Sequence, residues 1–235
     1  MGPLIGGFLI LVTKETPFYV FSFLAIVASF GIYTSVDNSS KEVLSSIEKN
    51  KISWLSNTVW PFLLVASIGS LCQASLLQSI GFYVYDIFSY LDRLPVIVSM
   101  TFALLAISTI VSQYIFTDFY PLNTTKLLLC GVFLIILSFF IMAFFNKIII
   151  YYISIVINGL GGGMLRPGIS SALSLSQNPS NQGSAAGYLG SVYPIGHMLT
   201  PFVAMPIYAL NPAYLYYFSS ILCIGLVLFI ISHPT

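Results

Sequence analysis

Charge is what this sequence lacks most. Asp, Glu, Lys and Arg together make up 6% of its 235 residues, and none of them occurs after Arg166. A water-soluble domain of this size needs far more charged side chains to cover its surface, whereas the hydrocarbon of a bilayer requires their absence. With 57% hydrophobic residues and a mean hydropathy of +0.95, the composition identifies a polytopic membrane protein.

Paired cysteines and basic clusters are also absent. Cys72, Cys130 and Cys223 each lie within an apolar run, without the pairing of a disulfide framework or the spacing of a zinc site. We interpret them as small hydrophobic residues and expect no metal site. The basic residues are scattered and never interleave with aromatics as in a nucleic-acid surface, so we expect no nucleic-acid partner.

Enzyme motifs are missing as well. The stretch Gly159-Leu-Gly-Gly-Gly-Met164 lacks the last glycine of a dinucleotide fingerprint and has no predicted strand before it. The sequence contains no Walker sequence, no HExxH and no GxSxG. The sequence therefore predicts a protein that is not an enzyme and uses no cofactor.

What the chain does contain is a series of apolar runs of the length that crosses a bilayer, about 20 residues. Seven full spans are predicted, at roughly Phe18 to Ser35, Val59 to Tyr83, Leu94 to Phe116, Leu127 to Phe145, Ile148 to Leu173, Ala185 to Leu210 and Pro212 to Ile231. The opening run, Met1 to Thr13, is too short to cross and indicates a half-helix. The predicted fold class is an all-α membrane protein of seven full transmembrane helices plus an N-terminal half-helix. Tyr83, Tyr85, Tyr90 and the segment from Tyr214 to Phe218 are interpreted as an aromatic belt at the outer interface.

A polar segment divides these spans into two groups. We predict that residues 1–35 are the remnant of an N-terminal bundle, that residues 36–57 form a central loop, and that residues 58–235 form a C-terminal six-helix bundle. With the loop on the cytoplasmic side, five basic residues face the cytoplasm (Lys41, Lys49, Lys51, Lys126, Arg166) and three face outward (Lys14, Arg93, Lys147). This bias has the sign expected from the positive-inside rule.

The sequence opens with Gly2-Pro3-Leu4-Ile5-Gly6-Gly7. Later, a glycine-rich run from Gly159 to Pro167, with Gly162 and Gly163, is followed by Gln182, Gly183 and Gly187. A six-helix block follows a polar central loop. Together these features resemble the major facilitator superfamily, in its drug/proton antiporter branch of multidrug and tetracycline efflux proteins. The first is similar to the end of the antiporter motif on helix five of that branch, and the second is similar to the pattern across helices ten and eleven.

The resemblance implies a chain that begins within helix five and ends after helix twelve of such a transporter, in a bacterial cytoplasmic membrane. It implies secondary active efflux of drugs or other small molecules by alternating access, with protons as the coupling ion. The partners are then the lipid bilayer, a small-molecule substrate and the missing N-terminal helices, which a second chain can supply. The alternative is a membrane protein that does not transport by itself, either a fragment or a partner subunit of a split transporter.

Polar residues within the spans are the candidate substrate pathway, because a polar side chain in hydrocarbon usually faces a neighbouring helix or an aqueous cavity. In the span from Val59, Ser67, Ser70 and Gln78 share one helical face and Gln73 lies beside it. This face is either a cavity wall or a set of interhelical hydrogen bonds.

The fifth span carries a second polar face, because Ser154, Asn158, Gly162, Arg166 and Ser170 recur every four residues. We interpret Asn158 as a cavity residue. Arg166 is either a cation for an anionic substrate or a gating carboxylate, or a side chain that reaches the cytoplasmic interface, and the interface is favoured. Gly159 and Gly163 form a small-xxx-small pair that allows another helix to approach closely.

His197 lies near the middle of its span, with Tyr193 and Thr200 on the same helical face. A proton relay is one interpretation of this histidine, and a hydrogen-bonded packing residue is the favoured one. No Asp or Glu is expected deep in any span. The acid that proton antiport usually needs is therefore predicted to lie in the missing helices, unless His197 replaces it or Asp86 lies deeper than expected.

Overall fold

The computed structural model describes residue 13 and residues 15–35, 53–119 and 122–232. Within these ranges the chain is helical and contains no β-strand. Seven α-helices follow one another: α1 (Thr16–Ser35), α2 (Trp60–Ile87), α3 (Leu94–Gln113), α4 (Thr124–Phe144), α5 (Ile148–Leu175), α6 (Gln182–Leu210) and α7 (Pro212–Ser232). A π-helical turn (Tyr114–Phe119) continues α3, and a 3-10 turn (Pro179–Asn181) precedes α6.

Each predicted full span is confirmed as a helix, with bounds that differ from the prediction by a few residues. Among the described residues, five helices are long and apolar enough to cross a membrane: α2, α3 with its π-helical extension, α4, α5 and α7. The apolar stretch of α1 is shorter, at Phe18–Thr34. The predicted half-helix from Met1 to Thr13 lies outside the described residues, apart from Thr13.

The chain divides into two compact units, Met1–Asn50 and Lys51–Thr235. The first unit contains α1, whose side chains are largely exposed within that unit. The second unit contains α2 to α7. There, α5 packs against α3 and α4, α2 packs against α6 and α7, and α4 packs against α7. This arrangement leaves α2, α3, α5 and α6 around one interior space.

A cluster of aromatic rings closes the core where α2 ends and α7 begins, and it corrects part of the predicted aromatic belt. Tyr85, Tyr90 and Tyr214 are exposed, but Tyr83 and Tyr216 are 1% and 0% exposed. The Tyr83 ring stacks on that of Tyr151, with centroids 5.4 Å apart. Tyr83 and Tyr216 can be buried because their hydroxyl groups are hydrogen-bonded. The Tyr83 hydroxyl donates to the backbone oxygen of Met142 over 3.1 Å, and the Tyr216 hydroxyl lies 3.2 Å from the hydroxyl of Ser79.

Candidate functional site

A cavity of about 230 Å³ lies among α2, α3, α5 and α6. Its walls combine apolar side chains with a small number of polar ones, as in most small-molecule sites. The polar and charged lining residues are Ser70, Gln73, Thr109, Gln113, Asn158, Arg166 and Tyr193. Four of the six residues predicted for a substrate pathway are therefore brought together here, from three helices.

Asn158 has a side chain that is fully enclosed by protein but makes no hydrogen bond to it. The residue is 0% exposed, and both its amide oxygen and its amide nitrogen lack a protein partner. The buried Nε2 of Gln73, on the same cavity, also lacks a partner. A buried amide without a partner costs about 1–3 kcal/mol, so these groups reduce stability and are available to a bound molecule.

Gly162 explains how the Gln73 amide fits beside α5. A Cβ built at Gly162 would lie 3.0 Å from Gln73 Nε2, which is tighter than ordinary van der Waals contact. The absence of a side chain at position 162 therefore makes room for the amide against the helix. Gly162 lies between Asn158 and Arg166 on the same face of α5, so it belongs to the cavity wall.

Arg166 and Tyr193 form the cationic end of the cavity. The Arg166 guanidinium carbon lies 5.3 Å from the centroid of the Tyr193 ring, within the range of a cation–π interaction. Among the described residues, no carboxylate forms an ion pair with Arg166. Tyr193 is half-buried, whereas Arg166 is exposed in the isolated bundle.

Arg166 lies nearer the middle of its helix than its sequence context suggests. The helix α5 continues to Leu175, so Arg166 is about 7 Å from the helix midpoint at 1.5 Å per residue. A charged side chain within a membrane-spanning helix is costly, and such residues are functional candidates by default. Arg166 therefore lines the cavity, and its role as a substrate contact or as an interfacial anchor stays a prediction.

Two residues of the cavity wall escaped the sequence analysis. Thr109 and Gln113, one turn apart on α3, line the same cavity as Asn158 and Arg166. Their i, i+4 spacing, which places both side chains on one face of α3, was the feature of the sequence that could have identified them.

Gln78 and His197 do not line this cavity. They lie on the seam between α2 and α6, where Gln78 Nε2 donates to the backbone oxygen of His197 over 3.2 Å. The contact uses the main chain of residue 197, so it does not depend on the imidazole. Both side chains are half-buried.

Carboxylates are also absent from the lining of this cavity. Asp86, near the end of α2, is exposed and accepts a 2.7 Å hydrogen bond from the hydroxyl of Tyr208. Among the described residues, no three His, Cys, Asp or Glu side chains come together as a metal site.

A comparison with known protein families identifies the family to which this helix bundle belongs. The family model of the Major Facilitator Superfamily matches residues 1–201, which is most of the chain. The chain belongs to this superfamily. As a member, it is an integral, multi-pass membrane protein of a transporter family and not an enzyme family.

Solved structures show the superfamily fold as well. A crystal structure of a mutant of the peptide transporter POT in complex with sulfate superposes with a TM-score of 0.67 at 15% sequence identity. The match covers 84% of this chain and 41% of that transporter, so the chain spans less than half the length of its solved relative. No curated protein matches the sequence.

The glycines that carry the resemblance to the superfamily are close-packing points of α5. A Cβ at Gly163 would lie 2.5 Å from the backbone oxygen of Thr109, and one at Gly159 would lie 2.8 Å from that of Leu105. On the opposite face, a Cβ at Gly161 would lie 2.7 Å from the backbone oxygen of Gly131 in α4. Close backbone approach on two sides therefore holds α5 between α3 and α4, with Gly162 turned to the cavity.

The other superfamily-like residues occupy several environments. Pro167 lies inside α5 and removes one backbone donor from its hydrogen-bond ladder. Gln182 begins α6, and its Nε2 donates to the backbone oxygen of Ser174 over 3.3 Å. Gly183 and Gly187 have open space where a Cβ would be. Gly2, Pro3, Gly6 and Gly7 lie outside the described residues.

Proposed function

We propose that this chain takes part in secondary active transport and exports drugs or other small molecules by alternating access. The observation that carries the proposal is the cavity, in which α2, α3, α5 and α6 of a superfamily bundle present amide, hydroxyl and guanidinium groups within apolar walls. Such a mixture suits compounds that are mostly apolar and carry a few polar groups.

The bundle of α2 to α7 is proposed to be one half of the transport pathway. Transporters of this superfamily place the substrate between two six-helix halves, and access alternates as the halves rock against each other. At about 230 Å³, the cavity is smaller than the roughly 300–1,000 Å³ of complete small-molecule pockets. A second bundle, from the same polypeptide or from another chain, is therefore expected to complete the site.

Assignment to the drug/proton antiporter branch is part of the proposal, with the bacterial cytoplasmic membrane as the location. Its support is the motif-like run from Gly2 to Gly7 and the glycine pattern of α5 and α6. Since no carboxylate of the described residues lines the cavity, the proton-binding acid is expected in the second bundle.

Deletion of the gene in its native host tests transport with the protein in its natural context. We expect deletion to raise the accumulation of at least one dye from a panel that includes a cation, an anion and a neutral compound. Reintroduction of the gene should restore export, whereas a gene carrying both Gln73→Leu and Asn158→Leu should not. The matched control is Ile107→Val, because Ile107 is 52% exposed on the bundle surface, away from the cavity lining.

A partner subunit without transport of its own is the second candidate, favoured by a cavity smaller than a complete small-molecule pocket. If the chain is a partner subunit, deletion of its gene should alter export only when the gene of a second transporter is present. Unchanged accumulation of every dye, with the membrane energised or de-energised, would argue against both candidates.

A further inference from the structure

The charge pattern of the cavity restricts what it accepts. Among the described residues, Arg166 is the only charged one that lines it. The carboxylates whose side chains the structure describes, Glu15, Asp86 and Asp92, are not part of that lining. Within this bundle, a cationic substrate would therefore meet a like charge without a compensating carboxylate, whereas an anion would neutralise it.

The Arg166 guanidinium keeps hydrogen-bonding capacity beside its contact with Tyr193. Tyr193 engages the cation through its ring at 5.3 Å, and no described carboxylate pairs with it. A guanidinium carries five N–H donors, more than one ring contact can occupy, and a carboxylate or sulfonate binds two of them in a fork. The same arginine can therefore keep its tyrosine contact and bind an oxyanion in bidentate fashion.

Asn158 supplies the second point of recognition. It precedes Arg166 by eight residues on the same face of α5, which places the two backbones about 12 Å apart. Its amide is 0% exposed and has neither a donor nor an acceptor partner in the protein. Apolar side chains of the lining, Leu105, Leu165 and Ile169, lie around these two polar points.

We propose that the substrate of this cavity is an organic monoanion, whose carboxylate or sulfonate binds Arg166. Its apolar body lies along α5, and a hydrogen-bonding group reaches Asn158 and Gln73. The inference rests on the proposed transport function and names the substrate class of that same site.

Equilibrium binding to the full 235-residue chain in phosphatidylcholine nanodiscs tests the inference, with empty nanodiscs as the blank. The probes are anilinonaphthalene sulfonate and phenylnaphthylamine, which share the aromatic frame but differ in the sulfonate. We expect Arg166→Gln to weaken binding of the sulfonate by about 10- to 100-fold and to leave the neutral probe within about twofold. The matched control is Lys126→Gln, which removes one exposed positive charge outside the cavity and should not alter either affinity.

A second variant covers the case in which Arg166→Gln does not fold. Gln73→Glu is nearly isosteric and places a carboxylate in the same cavity, so it should weaken the sulfonate and spare the neutral probe. Unchanged sulfonate affinity in whichever variant folds, or an equal loss for both probes, would overturn the inference.

Binding and transport can fail separately. Arg166-dependent sulfonate binding in a protein whose gene deletion leaves all dye accumulation unchanged would reject transport and keep the anion site. Export of cationic dyes alone, with sulfonate affinity independent of Arg166, would keep transport and reject the anion site.

Discussion

The guanidinium of Arg166 lies over the ring of Tyr193, and this contact joins α5 to α6 across the cavity. A pairing of this kind orients a long cationic side chain that would otherwise move freely in an open cavity. In the proposed anion site, Tyr193 would therefore be a positioning residue, acting on a bound anion through Arg166.

The ring of Tyr193, and not its hydroxyl, should determine anion affinity. Tyr193→Ala is expected to weaken binding of anilinonaphthalene sulfonate by about two- to fivefold, since an exposed cation–π contact contributes about 0.5–1 kcal/mol. Tyr193→Phe keeps the ring and should remain within about twofold of the wild type. Titration of both variants in nanodiscs checks this, and an equal loss in the two variants would show that the phenol itself binds the ligand.

The close approach of α3 and α5 should make Gly163 sensitive to a single methyl group. A Cβ there would meet the backbone oxygen of Thr109 at 2.5 Å, and backbone yields less easily than a side chain. Gly163→Ala should therefore lower the free energy of unfolding by about 1–3 kcal/mol, measured by denaturation in mixed micelles. Gly187→Ala is the matched control, because its Cβ would enter open space, and it should be neutral or stabilising by up to about 1 kcal/mol.

How far the sequence predicts this molecule is shown by α5. Its helix bounds follow from a run of apolar residues of bilayer length, and its polar face follows from a four-residue recurrence. Asn158, Gly162 and Arg166 of that face line the cavity. Ser154, from the same recurrence, is buried and donates to the backbone oxygen of Tyr151 over 2.6 Å instead.

The residues of neighbouring helices that face α5 could not be predicted in the same way. Periodicity shows which residues share a face of one helix, but the partner of that face depends on how helices pack in three dimensions. Thr109 and Gln113 were therefore missed, although their spacing is regular. For the same reason, Gln78 and His197 were grouped with the pathway, whereas packing places them on a seam between two helices.

The contact between α2 and α6 should persist when the imidazole of His197 is removed. Gln78 donates to the backbone oxygen of residue 197, which is present whatever the side chain. His197→Ala should therefore keep the dependence of dye export on external pH, measured in cells between mildly acidic and neutral conditions. Gln78→Leu removes the donor and should lower the free energy of unfolding by about 0.5–1.5 kcal/mol. A pH profile that shifts in His197→Ala would instead assign the histidine to proton coupling.

Replacement of Asn158 by Leu should have opposite effects on stability and on dye export. Its amide is buried without a protein partner, so Asn158→Leu removes an unsatisfied polar group at nearly constant size. We expect the free energy of unfolding to rise by about 1 kcal/mol while dye export falls. Ser112→Ala is the contrasting control, because the buried Ser112 hydroxyl donates to the backbone oxygen of Leu160 over 2.7 Å. That variant should lose about 0.6–1.5 kcal/mol and keep export, since Ser112 is not part of the cavity lining. Destabilisation of Asn158→Leu to the same extent as Ser112→Ala would mean that the amide stabilises the fold, and the cavity would then lose its second recognition point.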